Sequence, residues 1–167
     1  MLAAYHTSGA GDIAALAAAD LLVGLNEELW VRGLMLETLR GKGATYAAVL
    51  TGLLFGVEHL LNLTSQPFGA TITQVGYAAL IGMGLAGLRI TQESLWPVIA
   101  WHVLFDFISD LQSGPHPAVQ HVTWASGTVV VMLFVPLGAY GLWLARHRAA
   151  PSPEEAHWDT RRPIRYD

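Results

Sequence analysis

Two stretches of this chain contain no Asp, Glu, Lys or Arg at all: His59 to Leu88, and Leu111 to Ala145. About 18 to 20 residues of this kind cross a bilayer as a helix. The whole chain is 53% hydrophobic and 13% charged, about half the charge of a soluble globular domain. Lipid, rather than a large water-excluded core, accounts for the missing charge. The reading is an all-α, polytopic transmembrane helix bundle of about five membrane helices.

The breaks between apolar runs place these helices at about Asp12–Leu39, Ala44–Leu61, Phe68–Ile90, Glu93–Leu111 and Ala118–His147. "RGKG", "NLTSQP" and "QSGPHP" punctuate them. One membrane domain over 1–148 is expected, followed by a Pro-rich, charged, loosely ordered tail at 149–167. The first residues lack the basic segment of a secretory signal, so insertion is expected to rely on the helices themselves. With five alternating crossings, Arg40, Lys42, Arg89, Arg146 and Arg148 all fall on one side. The positive-inside rule makes that side cytoplasmic, with the C-terminus, in an integral protein of the cell membrane. No cysteine is present, which excludes thiolate zinc sites and cysteine nucleophiles. The net charge of -4 gives no reason to expect nucleic acid.

Against this background the segment "LNEELWVRG", Leu25 to Gly33, is expensive. Glu28 and Arg32 stand i,i+4, share a helix face and can pair, which lowers the cost of keeping both out of water. Glu27 points about 100° away and needs water or another polar partner. His59 ends "FGVEH", and His102 and Asp106, in "WHVLFD", are again i,i+4. At 1.5 Å per residue from the nearest loop cation, Glu27 lies roughly 20 Å deep, His59 roughly 25 Å and His102 roughly 13 to 20 Å. One shared layer, with the carboxylate and two imidazoles around a small wet cavity, satisfies all of them. Glu58 is expected to point elsewhere on its helix. His116 and His121 near a loop, and His6, His147 and His157 near the termini, read as solvated or interfacial.

Each group also has a structural reading. Glu28–Arg32 serves equally as an ion pair, a lone His as an interhelical hydrogen-bond partner, and His102–Asp106 as a helix staple. Their joint occurrence at membrane depth favours function. A half-hydrated carboxylate can take a proton from water, His59 can share that water or return the proton to a leaving amine, and His102 with Asp106 can meet a developing oxyanion. Together these steps hydrolyse an amide without a covalent intermediate.

The strings EExxxR, FxxxH and HxxxD, in that order on successive helices, resemble the CPBP family of intramembrane glutamic endopeptidases. That family includes the CAAX prenyl proteases and the Abi-type bacteriocin-immunity proteins. The resemblance covers about Leu21 to Ser109. It implies that Glu27 and His59 activate water, that His102 and Asp106 form or support the oxyanion site, and that Glu28 with Arg32 holds the catalytic helix in shape. It implies chemistry without a metal or cofactor, and a peptide or protein substrate, lipidated at its C-terminus in the best-known cases. Two departures stand out. The third motif often ends in Asn, whereas Asp106 donates only when protonated and otherwise orients His102 through its second ring nitrogen. Members also commonly carry more helices before the EE motif, so this chain reads as a compact member or a fragment.

Four alternatives stay open. A zinc-dependent intramembrane protease needs His and Glu from three helices, since no HExxH string is present. "GAGD" at Gly9–Asp12 matches the GxGD of aspartyl proteases, with Asp106 as second acid, or is a flexible lead with Asp12 as N-cap. "WASG" lacks the first Gly of a serine GxSG motif. Finally, a non-catalytic immunity or scaffold protein can keep the same pairs for packing alone.

Overall fold

The computed structural model describes residues 9–113 and 122–148, and every element in them is helical. Helix α1 (Ala10–Glu28) passes without a break into a π-helical segment (Leu29–Met35) and then into α2 (Leu36–Arg40). Next come α3 (Ala44–Glu58), a 3₁₀ segment (His59–Thr64), α4 (Phe68–Gln92), α5 (Trp96–Ser113) and α6 (Trp124–Arg148). The five expected helices are present, with adjusted ends. Glu93 starts nothing: at φ 52° it is the left-handed cap that ends α4, and α5 begins at Trp96. The last helix starts at Trp124 rather than near Ala118, which lies outside the described residues, as do His6, the loop histidines His116 and His121, and the tail with His157. Asp12 is not the N-cap. It sits in the first turn of α1 and accepts the Gly9 N–H at 3.2 Å, about 22 Å along the helix from Glu27 at 1.5 Å per residue. Asp106, the second acid of the aspartyl reading, shares His102 Nε2 with Glu27 instead.

Helix α4 is the centre, lying along α3 on one side and α6 on the other, while α1 pairs with α5. Small residues make the central contacts possible. A Cβ on Gly82 would stand 2.8 Å from the Gly52 Cα, and one on Gly52 would stand 2.8 Å from the Met83 backbone nitrogen. Lipid gives helices little hydrophobic reason to associate, so close backbone packing is what joins them. Gly43, at φ 116°, makes the sharp turn from α2 into α3.

The bundle has two distinct ends. At one, Leu36, Ala44, Ala48, Ala86, Ile90 and Ala145 form a core cluster, and Glu37 binds Arg40 at 3.0 Å and Arg89 at 2.9 Å. Arg146 follows Ala145 of this cluster. At the other end Asn62 donates to Gln74 at 2.9 Å, and Phe68 packs edge-on against Trp124.

Three segments, Ala44–Thr64, Phe68–Gln92 and Trp124–His147, are long and apolar enough to cross a membrane. Only 17% of the last apolar window is buried in the bundle, and Val129, Met132, Leu133 and Trp143 point outward. Such a surface belongs in lipid. Helices α1 and α5 fall outside that set because they carry the polar groups described next.

Candidate active site

Glu28 and Arg32 are fully buried and joined at 2.8 Å. The expected i,i+4 pair therefore forms, although the chain changes from α- to π-helix immediately after Glu28. Such widened turns recur at functional sites. Arg32 also reaches the Gly82 carbonyl at 3.4 Å and lies 4.2 Å above the centre of the Phe55 ring. The close packing of α3 on α4 thus brings both of its further partners to the arginine.

Glu28 does more than pair with Arg32. The same Oε1 accepts a hydrogen bond from His102 Nδ1 at 2.7 Å, so one buried carboxylate ties α1 to α5. The other ring nitrogen, Nε2, lies 3.1 Å from Asp106 and 3.7 Å from Glu27. Each ring nitrogen thus has a carboxyl group within hydrogen-bond reach to which its N–H can donate. The nitrogen that turns away from the cavity is held by Glu28, not by Asp106. Asp106 instead stands on the Nε2 side, beside Glu27.

His59 Nδ1 donates to the Phe55 carbonyl at 2.7 Å. In the neutral ring this fixes the tautomer and leaves a lone pair on Nε2. Phe55 is the hub of the motif: its ring also meets His59 and His102 edge-on, at 5.2 and 5.5 Å between centroids. Glu27, His59, His102 and Asp106 border one cavity of about 550 Å³. Glu28 and Arg32 lie behind its wall. The Glu27 and Asp106 side chains keep 29% and 33% of their surface exposed, so both are wet where the supporting pair is dry.

Glu58 corrects the expectation that it points away. It borders the same cavity, with Oε1 buried and without a partner among the described residues. Glu58 and His59 stand three and four residues after Phe55, so at about 100° per residue they flank the Phe55 face on either side, and the cavity is wide enough to take all three. Asp20 on α1 and Asp110 on α5 also border the cavity, and neither figured in the sequence motifs. Among the described residues no group of three His, Asp or Glu side chains is disposed to hold a metal ion.

The family model for the type II CAAX prenyl endopeptidase Rce1-like family matches residues 9–108. That span includes Glu27, Glu28, Arg32, His59, His102 and Asp106. No curated protein and no solved structure matches the chain. The matched residues make up more than half of the sequence, and the chain belongs to the Rce1-like family of CAAX-type membrane proteases.

Proposed function

We propose that this family member is an intramembrane endopeptidase of the glutamic type, with Glu27 as the base that activates water. The observation that carries the reading is the position of His102 Nε2, between Glu27 and Asp106 on the wall of a cavity that His59 also borders. The Glu27 carboxylate takes a proton from a water whose oxygen bonds to the scissile carbonyl carbon. The C=O electron pair moves to oxygen, where the Nε2–H of His102 is the donor. Glu28 holds His102 from behind, and Asp106 shares the donor until the carbonyl docks. As the tetrahedral species collapses, the C–N bond breaks and the amine takes the proton back from Glu27, directly or by way of His59.

This reading includes a single membrane domain over residues 1–148 with five crossings, the cation-bearing end and the C-terminal tail on the cytoplasmic side, and the cell membrane as its location. The substrate is a peptide or protein, and a lipid group on it is compatible with access from the bilayer. The test is digestion of a peptide library, including CAAX-type members, by the purified chain in detergent, read by mass spectrometry with and without a chelator. Cleavage that survives the chelator supports the reading. Loss of cleavage with the chelator turns it to a zinc protease, and a folded chain that cleaves nothing turns it to an immunity or scaffold role.

A further inference from the structure

Asp20 from α1 and Asp110 from α5 line the same cavity and take no part in the catalytic steps. Asp20 and Glu27 are seven residues apart, two helical turns, and so share a face; His102, Asp106 and Asp110 repeat every fourth residue along α5. Two rows of acids therefore run along α1 and α5 away from His102. No Lys or Arg lines this cavity among the described residues. Arg32 is shut away behind Glu28 and Phe55.

Asp20 adds an independent indication. It is only 6% exposed, and its Oδ2 is buried with no hydrogen-bond partner. A buried carboxylate oxygen without a donor is unfavourable, and a charged donor relieves that cost best. Acids lining an apolar-walled cleft also focus a negative potential that draws in cations and repels carboxylates.

We propose that Asp20 and Asp110 form a subsite for a basic side chain, Lys or Arg, of the peptide substrate. This deepens the peptidase reading and rests on it for its place in the reaction. Seven residues of helix put Asp20 about 10 Å from Glu27, a span of about three extended residues. The basic side chain therefore belongs about three positions from the scissile bond, and a free carboxylate at that position is disfavoured.

The test uses fluorescein-labelled peptides of one neutral sequence, with Lys, norleucine or Glu placed at each position in turn. Affinity for the full chain in detergent is read by anisotropy, and kcat/KM is measured on the same peptides. The expected result is one position at which Lys binds about tenfold tighter than norleucine and Glu binds more weakly than either. In the Asp20→Asn/Asp110→Asn variant the Lys-to-norleucine ratio falls to about twofold. The ratio is taken within each protein, so a loss of folded chain cancels. Equal binding in the wild type, a preference that is the same at every position, or a ratio that survives in the variant overturns the subsite. Position-specific binding without cleavage upholds the subsite and removes the peptidase reading, and cleavage without preference does the reverse.

Discussion

At the scale of single residues, Glu28 carries two duties that can be separated. It neutralises Arg32 and it holds His102, both through Oε1. Removing one member of a fully buried pair costs about 3–5 kcal/mol, whereas replacing both with apolar residues is often close to neutral. Glu28→Gln is therefore expected to lower the melting temperature sharply in detergent. Glu28→Leu/Arg32→Leu is expected to recover much of that stability while leaving His102 without its partner and cleavage at least about 100-fold slower. A double variant that cleaves at the wild-type rate would remove Glu28 from any role in positioning His102.

The pairs were legible in the sequence because i,i+4 spacing survives any choice of helix ends. Glu28–Arg32 and His102–Asp106 both form as that spacing requires. The link from Glu28 to His102 was not legible, since the two are 74 residues apart and nothing local specifies which helices pair. Glu58 was lost for a different reason: it stands about 60° from Phe55, and whether that reaches the cavity depends on the cavity's width, which helix spacing does not give.

At the scale of elements, the site depends on how closely α3 approaches α4. Gly82 supplies the carbonyl for Arg32 and also the gap that admits Gly52. Gly82→Ala places a methyl group 2.8 Å from the Gly52 Cα, so the helices must separate, at a cost of about 1–3 kcal/mol for overpacking. A lower melting temperature, with cleavage falling alongside it, is the expected outcome. Gly11→Ala is the control, because nothing lies within 4 Å of its added methyl group, and alanine is the better helix former by about 1 kcal/mol. A Gly82→Ala melt as high as that of Gly11→Ala would mean that the contact is loose. The helices themselves were visible as apolar runs, but the π and 3₁₀ segments were not, since both come from packing rather than composition.

At the scale of the molecule, the cation-bearing ends of α2, α4 and α6 gather at one pole, and the polar cavity runs toward the other. Lys42 follows α2, at the first pole, and Ser65 follows the 3₁₀ segment, near the second. The proposed orientation puts the cationic pole in the cytoplasm, which turns the cavity toward the opposite face. The absence of native cysteine makes this simple to check with a membrane-impermeant maleimide on intact cells. Ser65→Cys should label from outside and Lys42→Cys only after permeabilisation; the reverse pattern would invert the orientation.

The central claim is that Glu27 is the base, and the most direct measurement compares kcat of Glu27→Gln and wild type on one cleaved peptide, with chelator present and melting temperatures matched. The Gln side chain keeps the size of Glu and lacks its basicity. The account predicts a loss of about 100-fold or more in kcat with the melting temperature essentially unchanged, because Glu27 is partly exposed and makes no contact with Arg32 in the buried pair. A Glu27→Gln protein that turns over at the wild-type rate would contradict it.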